Sequence, residues 1–237
     1  MKVNKRVMIV AALKDEIREF QEKMGVDATI HFQPALFWRG KFFNREAALL
    51  TAGIGAEKVQ KSLNRVLSFY RPSFLLLVGY CGGASPVAGN GTLVLAERVV
   101  EAATENRWLT DKKMLASAEK ICEAGKISHQ TGGLAAVNRV ICHPHEKADI
   151  GATHCAIALD MESAAVARFA GEHEIPFLAV KAVLDPVEER LPPVSENFVE
   201  DFLKNPKAML KLPKMIYWAS QARGAITKFL EGWVGLS

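Results

Sequence analysis

The chain of 237 residues has no apolar run that approaches the roughly 18 residues needed to cross a bilayer, so it reads as having no membrane-spanning segment. Its start, MKVNKRVMIVAALKDE, imitates the charged end of a secretion signal. The apolar run at residues 7–13 is short, however, and meets Lys14, Asp15 and Glu16 without a cleavage-like site, so a first strand and a cytoplasmic location are expected. Cysteine is scarce: Cys81, Cys122, Cys142 and Cys155 show no CxxC spacing, and a chain this long needs no covalent staples, which points to reduced thiols. A surplus of one charge sign is also missing. Thirty basic against 26 acidic side chains leave a formal +4, too small and too scattered to mark a nucleic-acid binder. Hydrophobic residues at 49% and charged residues at 24% lie near the globular average, which excludes a disordered chain and a coiled coil. There is no internal repeat and no linker, so residues 1–237 are expected to form a single domain.

The segment CHPHEKADIGATHC offers Cys142, His143, His145, His154 and Cys155, but its spacing fits no usual zinc pattern, and no metal is expected.

What is present is an alternation of apolar runs with helical patterns. VMIVAAL reads as a buried strand, followed by KDEIREFQEKM with Ile17, Phe20 and Met24 at helical spacing. ALFWR and EAALLTA read as an antiparallel pair leading to the glycine turn AGIG and the helix AEKVQKSLNRVLSFY. SFLLLVGYCGG and TLVLAERVV are further strands. A helix over about residues 111–123, a strand TGGLAAVNRVI, a short helix opened by Pro144, the strand CAIAL, the helix MESAAVARFAGEH and the strand PFLAVKAVL follow. The loop DPVEERLPPVSEN (residues 185–197) is placed to act as a rim or lid before the final helices. This order predicts an α/β fold: one three-layer α/β/α sandwich around a mixed central sheet.

Four acids stand just beyond apolar strands: Glu16, Asp160, Glu162 and Asp185. Each alone reads as a helix cap or a solvated turn, and in LDMESAAV the acids can brace a helix start. Together with two glycine turns they suggest one cleft at the carboxyl edge of the sheet, where open α/β sheets bind ligands.

AALKDE (residues 11–16), TAGIGAEK (51–58), VGYCGGAS (78–85), LDMESAAV (159–166) and AVLDP (182–186) occur in the order and spacing of a known family. With them the chain resembles the purine nucleoside phosphorylase and methylthioadenosine/S-adenosylhomocysteine nucleosidase superfamily over nearly its whole length. DMESAAVA, IPFLAVKAVLDPVEERLPP and LKNPKAMLKLP look most like its hopanoid-associated phosphorylase-like branch. The resemblance implies cleavage of the N-glycosidic bond of a purine nucleoside, adenine favoured, that carries a 5′ substituent, and in that branch a large apolar one as in an adenosylated hopane. It implies no cofactor, with phosphate as co-substrate if the enzyme is a phosphorylase. It also implies a homo-oligomer.

The resemblance makes Asp185 the acid that protonates the leaving purine and Glu16 the base that activates water. Glu162 would accept from the ribose hydroxyls, with Met161 under the sugar and Asp160 beside it. Gly82 and Tyr80 would border the substrate. Ile141, with Cys142 next to it, stands where adenine-cleaving relatives place a stacking phenylalanine. Leu77 and Tyr80 stand where phosphorylase relatives carry a phosphate-binding arginine and serine, which favours water as nucleophile. The amides around Gly53 and Gly55 could still hold an anion. Leu184 replaces a serine or threonine before the acid. A phosphorylase and a non-catalytic nucleoside-binding protein are the alternatives.

From residue 202 to 230 there are six cations, Lys204, Lys207, Lys211, Lys214, Arg223 and Lys228, and no acid, interleaved with large apolar residues. Such a basic amphipathic tail reads as helices packed on the core, or as a candidate peripheral contact with anionic lipid.

Overall fold

The computed structural model describes residues 6–42, 45–192 and 211–236. In chain order these form β1 (Val7–Ala11), α1 (Lys14–Glu22), β2 (Gly25–Phe32), β3 (Ala35–Phe42), β4 (Arg45–Thr51), α2 (Ala56–Leu67), β5 (Phe74–Gly83) and β6 (Leu93–Glu101). They continue with β7 (Arg107–Leu109), α3 (Lys112–Gly125), β8 (His129–Ala136), α4 (Pro144–His154), β9 (Ala156–Asp160), α5 (Ser163–Glu172), β10 (Phe177–Asp185) and α6 (Leu212–Leu236).

The strands make one mixed sheet. β1 lies parallel between β4 and β5, and the meander β4-β3-β2 extends the sheet on one side. On the other side the sheet closes on itself. β5 pairs with β10 and, through Gly82 opposite Leu159, with β9; β10 continues through β6 and β8 back to β9. β1, β5 and β10 are buried on both faces, which is why they read as apolar runs, interrupted in β10 by Lys181, rather than as alternation.

Helices cover both faces. Met8, Val10 and Leu50 pack with Val59, Leu63 and Val66 of α2 and Val166 and Phe169 of α5. On the opposite face Ile9, Leu49, Leu76 and Val78 pack with Ile17 and Phe20 of α1, Ile121 of α3, and Ile226, Phe229 and Trp233 of α6. Burying a side chain such as Leu63 or Phe229 contributes about 1.5–3 kcal/mol, so these two interfaces fix the helices on the sheet.

Several expected boundaries move. β8 ends at Ala136, since the polar pair Asn138–Arg139 interrupts the run; Val137 only donates its N–H to the Asp160 carbonyl. Cys155 is not part of β9 but takes a left-handed conformation that ends α4. β2 was not foreseen, although GVDATIHF alternates Val26, Ala28, Ile30 and Phe32 with Gly25, Asp27, Thr29 and His31; the strand lies mostly exposed at the sheet edge. β7 is three residues long and gave no pattern to read. The part of the loop at residues 193–197, and the tail at 202–210 with Lys204 and Lys207, lie outside the described residues.

Candidate active site

The carboxyl ends of β1, β5, β9 and β10 converge on a cleft of about 820 Å³, counted with its open mouth. It is lined by Glu16, Tyr80, Gly82, Ile141, Lys147, Asp160, Met161, Glu162 and Asp185, among apolar side chains such as Leu13, Ile54, Leu184 and Leu191. The four acids that looked isolated along the chain are therefore brought to one place.

Glu16 sits at the start of α1 and turns back on it. One carboxylate oxygen accepts from the backbone N–H groups of Ala12 (2.9 Å) and Leu13 (2.8 Å), and the other from Tyr80 N–H (2.8 Å). It caps the helix and lines the cleft as well. Gly79 makes room for it: a Cβ there would stand 2.6 Å from a Glu16 oxygen. Burial pushes the Glu16 carboxyl up to about 7, against the pull of Lys181 and of the amide donors.

Asp160 and Glu162 share a buried cation. Lys181, in the middle of β10 and without solvent exposure, reaches Asp160 at 3.0 Å and Glu162 at 3.3 Å. Asp160 spends its oxygens on that lysine and on the N–H and hydroxyl of Ser163 at the start of α5. It braces the helix, so the expectation that it contacts substrate gives way to a supporting place. Glu162 is held by Lys181 and by the N–H of Gly55 (3.0 Å). Burial raises its carboxyl while Lys181 works the other way. Burial likewise opposes the charge on Lys181, but Asp160 and Glu162 outweigh it and hold the ammonium above its ordinary range.

This corrects the anion site expected at the glycine turn. Gly55 gives its N–H to Glu162, and Gly53, in a left-handed conformation at φ +89°, gives its own to the Ala12 carbonyl (3.0 Å). The turn holds the protein's own carboxylate, and these two amides are already engaged.

Asp185 ends β10 over Gly82, where a Cβ would come within 3.4 Å of its carboxylate. It is paired with Lys147 of α4, a residue 1% exposed. Burial pushes the Asp185 carboxyl up to about 6, with Lys147 pulling it down. Lys147 and Lys181 were not anticipated. Lys181 had a signal, a lone cation inside the apolar run PFLAVKAVL. Lys147 had none, because it lies in the segment that drew attention only for its histidines and cysteines.

Of the remaining expected residues, Met161, Gly82 and Ile141 line the cleft. Tyr80 does so too, but its hydroxyl donates to Asp15 (2.9 Å), which Arg223 of α6 also holds. Cys142 is set back from the cleft: its thiol faces the Pro192 carbonyl (3.4 Å) and it packs with Leu191 and Met215. Leu77 is buried in the core of β5. Among the described residues, no three His, Cys, Asp or Glu side chains come together as metal ligands, since α4 spreads the histidines of residues 143–154 along its length. Three of the tail's cations find acidic partners elsewhere in the fold: Lys211 and Lys214 both pair with Glu189, and Arg223 with Asp15 and Glu19. No described helix is long and apolar enough to cross a membrane.

Known proteins share this architecture. The methylthioadenosine/S-adenosylhomocysteine nucleosidase of Tolumonas auensis is 21% identical over 222 residues, which cover 86% of this chain and 96% of that protein. The crystal structure of such a nucleosidase from Colwellia psychrerythraea in complex with adenine superposes with a TM-score of 0.80 at 15% identity, covering 98% of this chain and 95% of that one. The native futalosine hydrolase of Helicobacter pylori gives 0.78 at 18% identity, with 99% of both chains covered. The sequence pattern of the Phosphorylase superfamily matches residues 6–212, most of the chain and every wall of the cleft, and the protein belongs to that superfamily.

Proposed function

We propose that the protein hydrolyses the N-glycosidic bond of a purine nucleoside, adenine favoured, with Glu16 activating water and Asp185 protonating the departing base. The observation that carries this reading is the pair of buried carboxyls, Glu16 and Asp185, on one cleft and both raised towards neutrality. Breaking the C1′–N9 bond leaves positive charge on the sugar ring and negative charge on the purine. A carboxyl that is protonated near neutral pH can supply the proton the purine needs, and an ionised one can take a proton from water. Glu162, fixed by Lys181 and Gly55, is suited to accept from the ribose hydroxyls, with Met161 beside it. The chemistry needs proton transfer alone, so no cofactor is required.

Water is favoured over phosphate because the groups that would hold phosphate are committed. The N–H groups of Gly53 and Gly55 are taken, Arg139 pairs with Glu146, Lys147 with Asp185 and Lys181 with two acids. The names of relatives point the same way, being nucleosidases and a hydrolase. Leu13, Leu184 and Leu191 suit an apolar 5′ substituent. That is the feature which would fit a lipid-borne nucleoside of the hopanoid-associated branch, with Leu212, Ile216 and Tyr217 exposed on α6 for a membrane surface. A panel of adenosine, inosine and 5′-alkylated adenosines, incubated with and without phosphate, tests the reading. Free base and free ribose without phosphate dependence is the expected result; a sugar 1-phosphate would make the enzyme a phosphorylase, and binding without release a nucleoside-binding protein.

A further inference from the structure

Lys147 is a buried charged group that the mechanism above leaves unused. Its ammonium has three protons and meets three acceptors: the carboxylate of Asp185, the Glu189 carbonyl at 2.9 Å and the Pro186 carbonyl at 3.2 Å. α4 is thereby tied both to the acid on β10 and to the chain that follows it. Leu191 N–H donates to the Cys142 carbonyl just before α4 (3.0 Å), and Glu189 holds Lys211 and Lys214 at the start of α6. The ammonium therefore cannot swing away from Asp185 without breaking contacts to the loop.

We propose that Lys147 is a positioning residue that makes Asp185 a stronger leaving-group acid, by completing a buried ion pair as the proton departs. The inference rests on the hydrolase reading above. In the step concerned, the C1′–N9 pair of electrons moves onto the purine, the Asp185 proton goes to the purine N7, a water oxygen bonds to C1′, and the proton that water loses goes to Glu16. Asp185 ends the step as a carboxylate. In an apolar pocket that product would be costly, and the neutral acid would hold its proton. Beside a fixed ammonium the carboxylate is formed in a ready ion pair, and the cost falls on neither the sugar nor the base. The charged and titratable groups facing Asp185 are Lys147 from α4, Glu189 from the following loop and Cys81 from β5, and Lys147 is the sole cation among these three.

The test uses Lys147→Gln, which keeps N–H donors for the two carbonyls, and Lys147→Met as a second neutral variant, with thermal unfolding to confirm the fold. Each is assayed across pH on a purine nucleoside and on 4-nitrophenyl riboside, whose leaving group needs no proton. An opposite charge shifts a carboxyl by about 1–3 pH units, so its loss is expected to move the nucleoside optimum up by about half that, 0.5–1.5 units. The nitrophenyl riboside profile is expected to stay in place, and Lys147→Arg to restore the original nucleoside optimum. A lysine that only supports the fold would lower both rates without moving either profile, and that result overturns the proposal while leaving the hydrolase reading intact. A wild type that releases no base from any nucleoside overturns the hydrolase reading, and this proposal with it.

Discussion

The strongest expectation concerns the pH dependence of kcat/KM for base release, because burial lifts both carboxyls into the neutral range. On the proposed mechanism catalysis needs Glu16 ionised and Asp185 protonated. With about 7 for Glu16 and about 6 for Asp185, the base is the weaker acid of the two. The required combination is most populated midway, near pH 6.5. There each group is in its required state in about one molecule in four, so both are in about 6% of molecules. Base release should therefore follow a narrow bell with limbs near pH 6 and 7, and the limb assignments should be reversed from the usual order: the lower one belongs to the acid, the upper one to the base. The perturbation is pH from 4.5 to 9.5, and the assay is continuous detection of free purine at substrate concentrations far below KM. Replacing the nucleoside by 4-nitrophenyl riboside removes the need for Asp185, and the profile should then rise through about pH 7 to a plateau set by Glu16 alone. A nucleoside profile flat between pH 5 and 9 would refute the reasoning, as would a bell-shaped profile for the nitrophenyl substrate.

Asp185→Asn should lower kcat on nucleosides by about 10²–10⁴ with little change in product-purine binding, read by steady-state kinetics and calorimetry; an unchanged kcat removes Asp185 from the reaction. Glu162→Gln should cost much more on ribosides than on 2′,3′-dideoxyribosides, and equal losses would end its role at the sugar. Lys181→Met strips the shared cation from two buried acids and should cost about 3–5 kcal/mol in urea unfolding, a loss that Asp160→Asn in the same chain should partly restore. The raised carboxyls also mark stability. A carboxyl whose folded value lies above its unfolded one stabilises the fold below the unfolded value and loses that contribution as pH rises through the folded one. For Glu16 this runs from about 4.5 to 7 and amounts to at most about 3 kcal/mol, so calorimetry should show Tm falling over that window, with a shallower fall in Glu16→Gln.

The strands that carry the acids were legible because they are largely buried on both faces and so print as apolar runs: β1 before Glu16, β9 ending in Asp160, and β10, with Lys181 inside it, ending in Asp185. The dual nature of LDMESAAV was legible as well, one acid bracing α5 and its neighbour facing the cleft. What the sequence hid are the partners across long separations. Asp185 meets Lys147 38 residues away, and Arg223 meets Asp15 208 residues away. Local pattern carries no trace of such pairings, so a tail without acids of its own looked uncompensated, and Gly55 looked available to a foreign anion when Glu162, 107 residues on, already occupied it. β2 is a different case: Val26, Ala28, Ile30 and Phe32 do alternate along it, so its pattern was present in the sequence, on a mostly exposed edge without the buried apolar run that marks the other strands.

β5 is the strand on which much of this rests, since it pairs with β10 along most of its length, with β1 over residues 74–77 and with β9 at the tip. A strand so enclosed has no low-energy way to open on its own, and its amides should exchange with solvent only when the whole sheet comes apart. Tyr80, Cys81 and Gly82 are thus the still floor of the cleft. Above it, residues 186–192 and the first turn of α6 are held by ion pairs, single hydrogen bonds and the small apolar contact of Leu191 with Met215. Opening of the cleft is expected to break those few contacts and to leave the ladder of β5 intact.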